Sequence, residues 1–409
     1  MGAQYIDGNK NPLYDLAENL GVIDHSIEDF EHLDVSTIRY GNCPIQKSDI
    51  NAYLKFITPL DKKYQYIADN DETKSYDETV KSMYDKDYTK FLIIQNATMG
   101  FRRNVFDSLT RLYQSQFEFE YAAKWEDLSL RAMTDWDDLG GDGASYSTTK
   151  IGYTAILSYL TSKIPSSKIH LNHRISHINY LGEKTKLMLT TGTLINDDFD
   201  YVIVTSALGH LKKFAHKMFT PQLPKRIMNA IEKIGMGTSS KIFLVYSDST
   251  WMDTFLSPLP VPDCFGRKGI ESEFNTFQKV PWAPNIYMGW IAGDAPEKVD
   301  KLSDQELSKI LTQLFRDIYR NYSIPEPSTI LRQKWTQNDL YGGSYSYVSY
   351  EQAQAGIRHS DLSIPIIKNG KIRIQFAGEA THDRIFQTAV GAFLSGRRES
   401  DRILNDLKK

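Results

Sequence analysis

Apolar and polar positions alternate along the chain in two periods, and the change between them predicts its elements. Asn11 and Pro12 open a helix in which Leu13, Leu16, Ala17 and Leu20 keep helical spacing, with Asn11 as cap and Pro12 in the first turn. Helices are predicted within 74–90. Phe101, Phe106, Leu109, Leu112, Tyr113, Phe117, Tyr121 and Trp125 continue a helical period through an aromatic stretch. Ile151-Gly152-Tyr153 opens another helix, through Leu157 and Leu160 to Ile164-Pro165. The pattern then shortens to strands at 168–172, 175–180, 186–190 and 201–205, with a hairpin turn at Thr191-Gly192. A helix follows Thr205. Lys241 enters a further apolar strand, Lys241-Ile242-Phe243-Leu244-Val245-Tyr246, and 287–293 reads as strand and turn. Ser303 and Glu306 form a capping box ahead of a core-facing stripe, Leu307, Ile310, Leu311, Leu314, Phe315 and Ile318. The last elements are a strand from Ile372 to Phe376, ended by Gly378-Glu379, and a helix from about Ala389.

Composition narrows what this pattern serves. At 409 residues the chain is long enough for two domains, and 41% hydrophobic with 24% charged residues is a globular balance. A net charge of −3 exerts no long-range pull on nucleic acid or an anionic membrane. No apolar run reaches the roughly 18 residues of a membrane span. Cys43 and Cys264 are too few for a disulfide framework or a thiolate metal site, so a reducing compartment is expected. Asn96-Ala97-Thr98 and Asn321-Tyr322-Ser323 match a glycosylation pattern that is common by chance. Met1-Gly2-Ala3 begins no signal peptide and Asp-Leu-Lys-Lys is no peroxisomal address, which points to the cytoplasm.

Chemistry concentrates in a few places. Glu379 is an acid at the carboxyl end of a strand, and the helix after it has a small-residue face of Gly391, Ala392, Ser395 and Gly396. The start of that helix, Thr388 to Val390, offers backbone N–H groups to an electron-rich ring atom or a phosphate. Lys241 reads from pattern alone as an exposed strand-edge lysine. Glu118 and Glu120 are candidate anchors for an amine cation, although a solvated face is the commoner role. His170, His173 and His177 invite a metal reading, but on a strand 170 and 173 point to opposite faces. No metal is expected. Gly235-Met236-Gly237 lacks the third glycine of a dinucleotide fingerprint and leads into a strand.

Taken in order, the motifs resemble the flavin-containing amine oxidases, polyamine oxidases most closely. The matching stretches are Gly2 to Gly8 with Asn11-Pro12-Leu13; Val202-Ile203-Val204-Thr205 through Leu208-Gly209; Gly235 to Leu244; Trp335 with Gly343-Ser344-Tyr345-Ser346-Tyr347; and Gly378-Glu379-Ala380-Thr381-His382 with Gly391-Ala392 and Ser395-Gly396. The resemblance implies an α/β fold: a doubly wound FAD-binding domain of discontinuous pieces, 1–35, 150–235 and 365–409, with a mixed-sheet and helical substrate domain, 36–149 and 236–364. It implies FAD held by Glu379, by the backbone of Thr388, Ala389 and Val390, and beside Ile175. Lys241 then takes the place of the lysine that reaches flavin N5 through a water, with Trp335 and Tyr345 at the flavin face. Asp7, Glu118, Glu120 and Thr388 line the way to a polyamine. Ser344 stands where a covalent relative has cysteine, which implies noncovalent FAD. The implied reaction passes hydride from a secondary amine to flavin N5 and electrons on to O2, giving H2O2, an aldehyde and a shorter amine.

The chain departs from the pattern at three positions and in one whole segment. Asp7 replaces a histidine near the substrate amine, Val390 replaces a histidine before Gly-Ala, and Ala207 stands for proline or serine. The strand, Gly-x-Gly-x-x-Gly turn and helix that precede these motifs in relatives are not in this sequence. That implies either an N-terminally incomplete product or a chain that has abandoned the cofactor. Two rivals therefore stand beside the main reading: a flavin-free binding protein, and an oxidase of another amine such as methylated lysine.

Overall fold

The computed structural model describes residues 2–27, 34–265, 269–274 and 276–408. Its local signals are where elementary capping chemistry puts them. Asn11 accepts from the Tyr14 N–H at 2.9 Å with Pro12 in the first turn, so Pro12–Asn19 is helical. Ser303 and Glu306 close a reciprocal box over the helix Asp304–Tyr319, whose Leu307, Leu311, Leu314, Phe315 and Ile318 are buried. Within 74–90 the structure has two helices, Glu72–Asp77 and Val80–Ile94, because Thr79 breaks the run and caps the second. The aromatic stretch forms Gly100–Tyr121, which stops where Ala122 turns left-handed at φ 54°.

The strands make separate small sheets around one large one. The large sheet runs Thr329–Arg332, Ser239–Val245, Ala283–Ala292, Thr276–Val280, Phe255–Pro258 and Ile38–Arg39, antiparallel except for its last pair. Lys371–Phe376 lies between Ile366–Lys368 and the parallel strand Val202–Val204. Tyr345–Tyr347 pairs with Gly235–Gly237, opposing Tyr345 to Gly237. The first strand, Tyr5–Asp7, pairs with Ser145–Thr148. This mixed α/β arrangement has the predicted class.

One core joins the helices of 38–132 to Leu259, Val261, Tyr347, Val348 and Phe386. Another joins 178–234 to the Lys371–Phe376 strand, and a third fills the large sheet against Asp304–Tyr319. Among the described residues no helix is long and apolar enough to cross a membrane.

Two expectations are corrected. The predicted strand at 168–172 is a 3₁₀ turn, Ser166–Lys168, followed by irregular backbone, because Asn172 sits left-handed at φ 60°. The His170 and His173 rings therefore lie 5.4 Å apart instead of on opposite faces. The second correction concerns the cysteines, which form a disulfide across 221 residues with Cα atoms 5.3 Å apart. It ties the loop before the helix Lys47–Ile57 to the short helix Pro262–Phe265. A link closing so long a loop restrains the unfolded chain strongly. Cys264→Ser, or full reduction, is expected to cost roughly 2–5 kcal/mol. Thermal melts with and without reductant check this, and an unchanged Tm would show that the bridge carries no stability.

Candidate active site

The chain's first residues touch both the lysine-bearing strand and the terminal helix: Gly2 and Gln4 accept from Lys241, and Ile6 packs with Val390. Lys241 is paired with Trp290 in the large sheet and is 9% exposed. Its ammonium donates to the Gly2 carbonyl at 2.7 Å and to Gln4 Oε1 at 3.1 Å, and sits 5.3 Å from the Trp290 ring centre. Burial pushes its pKa down to about 8. An ammonium has three N–H donors, so these two bonds leave one for a further acceptor. The pattern alone suggested an exposed edge; its place in the middle of a sheet, under the chain's first residues, makes it a buried one.

Trp335 approaches the same place from the turn Trp335–Gln337. A Cβ on Gly2 would meet its ring at 3.8 Å, and the ring stands edge-on to Tyr341 at 5.1 Å. Tyr345 begins the short strand of 345–347 and donates to the Phe119 carbonyl at 2.7 Å. Burial, then the negative charges of Glu120, Asp7 and Glu379, push its phenol well above the usual range. Asp7 ends the first strand and accepts from the Ser145 hydroxyl at 2.9 Å; burial holds its carboxyl above the ordinary range. Glu120 lies on the exposed side of Gly100–Tyr121.

Glu379 follows Gly378, whose φ of 135° an L side chain rarely adopts, at the end of Lys371–Phe376. Its Oε1 accepts from the Ser346 N–H at 3.2 Å, and its Oε2 from the Ser346 hydroxyl at 2.7 Å and the Gln387 N–H at 2.8 Å. Burial raises its pKa, and these three donors oppose that rise. Beside it opens a cleft of about 880 Å³ at the carboxyl ends of the parallel strands Val202–Val204 and Lys371–Phe376. Open α/β sheets take their ligands at such ends. Ile175, Val204, Ala207, Leu208 and Ser344 line the cleft with Glu379. The helix Leu208–Met218 starts there, and its cap residue Ala207 leaves the first N–H groups without a side-chain acceptor. Uncapped N–H groups at a helix start favour a phosphate, and the apolar residues beside them favour a planar ring. These residues fit a flavin nucleotide.

One predicted site residue is placed otherwise. Glu118 does not stand free for an amine: Arg111 pairs with it at 2.7 Å, Gln114 donates to it at 2.7 Å, and Arg111 also reaches Glu273 at 2.5 Å. A carboxylate so neutralised by a buried guanidinium anchors the fold. The Thr388 hydroxyl is committed as helix cap, accepting from the Gly391 N–H at 2.9 Å and donating to the Ile385 carbonyl at 2.8 Å. Val390 buries its side chain with Ile6, Leu13 and Ile385, and Ala389 packs against the same group. Their side chains are thus spent on packing, which leaves the backbone as the part that could hold a cofactor. Ser346, Gln4 and Trp290 were not foreseen; Ser346 lies inside the Gly-Ser-Tyr-Ser-Tyr motif, while nothing in the sequence marks the other two.

The flavin containing amine oxidoreductase family matches residues 1–404 of this chain. The chain belongs to that family. It is 34% identical over 265 residues to the human peroxisomal N(1)-acetyl-spermine/spermidine oxidase, across 59% of this chain and 50% of that protein. It is 27% identical over 346 residues to the probable polyamine oxidase 5 of Arabidopsis thaliana, across 73% and 62%. To the lysine-specific histone demethylase 1 homolog 1 of the same plant it is 28% identical over 412 residues, across 99% of this chain and 46% of that one. The chain thus spans about half the length of the curated relatives it matches. Among solved structures, the cyclohexylamine oxidase from Brevibacterium oxydans superposes with a TM-score of 0.67 at 16% identity, over all of this chain and 88% of that one. A putrescine oxidase bound to putrescine superposes with a TM-score of 0.64 at 12% identity, over 99% and 88%. The fold is that of the flavin amine oxidases.

Proposed function

We propose that this chain holds FAD noncovalently and oxidises a secondary amine of a polyamine. The observation that carries the proposal is the buried Lys241, which keeps one N–H unspent beside Trp335 and Gly2 while Glu379 borders the cleft at the strand ends. Glu379, the first N–H groups of Leu208–Met218 and the apolar Ile175 would hold the nucleotide, and the backbone of Thr388 to Val390 the ring. FAD held there would supply a hydride acceptor and a two-electron route to O2, with H2O2 as product; the imine left by the amine would take up water and part into an aldehyde and a shorter amine.

The residues of the chain do the rest. An amine gives up hydride only when neutral, and the rings of Trp335 and Tyr345 would favour that form by displacing water from it. Asp7 and Glu120 supply negative charge for the nitrogens that stay protonated. Lys241 offers a positive charge where charge develops on oxygen. Noncovalent attachment is supported by the cysteines, since both are spent on the disulfide and Ser344 accepts from the Ser239 N–H.

A second reading, oxidation of a methylated lysine, is favoured by the histone demethylase homologue that aligns over 99% of the chain. Peroxide release from the FAD-reconstituted protein separates the two. Spermine or N1-acetylspermine is expected to support turnover and a methylated lysine peptide is not. Peroxide from the peptide alone selects the second reading, and none from any amine overturns both.

A further inference from the structure

Glu379 is held by a buried chain of polar groups that reaches away from the cleft. His359 Nε2 lies 3.1 Å from the Ser346 hydroxyl, and His359 Nδ1 lies 3.2 Å from Gln352 Nε2. Gln352, His359 and Ser346 are all 2% exposed or less. The hydrogen-bond inventory assigns the protons. As a carboxylate, Glu379 only accepts, so the Ser346 hydroxyl spends its proton on Oε2. His359 Nε2 must then carry a hydrogen and donate to Ser346, which makes Nδ1 the acceptor from the Gln352 amide. Burial, with His382 nearby, pushes the imidazole down to about 3, so it stays neutral and this tautomer persists at neutral pH. The same ring stacks on Phe386 with centres 4.0 Å apart and planes 11° from parallel. Trp136 Nε1 donates to the Phe386 carbonyl at 3.0 Å, and the next residue, Gln387, supplies the third donor to Glu379.

We infer that His359 is a positioning residue for the cofactor: by its hydrogen bond it aims the Ser346 hydroxyl at Glu379 Oε2. This rests on the reading that Glu379 meets FAD. An aimed carboxylate presents its remaining lone pairs to a hydroxyl or N–H of the ligand in one orientation. Loss of the imidazole donor lets the Ser346 hydroxyl turn away, and the carboxyl then leans back toward its protonated form.

The test is a titration of each purified variant with FAD, followed by quenching of flavin fluorescence, with a thermal melt to confirm folding. His359→Phe keeps the stack and removes the donor, and should weaken FAD binding roughly tenfold. His359→Gln restores an N–H at the Nε2 position and should lie within about threefold of the wild type. Glu379→Gln should weaken FAD, and adding His359→Phe to it should change nothing more, because the two act through one contact. Wild-type affinity in His359→Phe, equal losses in the Phe and Gln variants, or multiplying losses in the double variant overturn the inference. Wild-type affinity in Glu379→Gln overturns the assignment of Glu379 to the cofactor and the inference with it, whereas a loss there beside an unaffected His359→Phe overturns the inference alone.

Discussion

Lys241→Met slows turnover roughly a hundredfold and leaves FAD bound, if the ammonium stabilises charge as it develops on oxygen, since removing one such preorganised donor costs about that much. Methionine fits the apolar stem of lysine. It leaves the Gly2 carbonyl and Gln4 Oε1 without their donor, and it removes a buried charge. Stopped-flow reoxidation and the flavin-to-protein ratio read the two consequences separately; unchanged reoxidation rejects the role. A pH arm follows from the Lys241 pKa of about 8. The wild-type rate should fall as pH rises through that value, because the ammonium gives up its proton, and the methionine variant should show no such step. Stability moves the other way. An unfolded lysine titrates near 10.4, so between about 8 and that value the unfolded chain holds more protons than the folded one. Folding stability should therefore rise with pH across that window, with the cost of the buried cation fully present below it, and Lys241→Met should remove its share of the rise, leaving that of Lys212, which burial also lowers to about 8.

Glu379→Ala is expected to lose FAD on gel filtration and to lower folding stability by roughly 1–3 kcal/mol, since it leaves the Ser346 and Gln387 N–H groups without their acceptor. Both effects come from one carboxylate facing two ways, toward the donors behind it and toward the cleft in front. A thermal melt with and without added FAD distinguishes them. The apo protein should melt lower than wild type, and added FAD should raise the melting temperature of the wild type far more than that of the variant. A variant that retains FAD through the column would place the nucleotide elsewhere.

What the sequence made legible was what neighbours in sequence decide. The caps at Asn11 and Ser303 work over three residues, and the stripe of Asp304–Tyr319 over its own turns, so both could be read directly. The strand predicted at 168–172 failed on one left-handed residue, Asn172, which periodicity does not register. Contacts made across the fold were out of reach. Gly2 and Gln4 meet Lys241 from 239 and 237 residues away, and Cys43 meets Cys264 across 221. Glu118 read as a free carboxylate because Glu273, which shares Arg111 with it, lies 155 residues on and meets it only in the fold. Lys241 and Tyr345 were singled out only through the family resemblance, whereas Glu379 was already marked as an acid at a strand's carboxyl end; composition and spacing gave Lys241 a solvent-edge role that burial contradicts.

The account turns on a flavin nucleotide seated without a covalent bond between the strand of Lys241 and the helix after Glu379. Absorption spectroscopy of the protein, reconstituted with FAD, freed of excess, then denatured and pelleted, tests that directly. The account predicts the visible bands of oxidised flavin on the native protein and all of the flavin in the supernatant after denaturation; a native protein without those bands, or flavin that stays with the pellet, would contradict it.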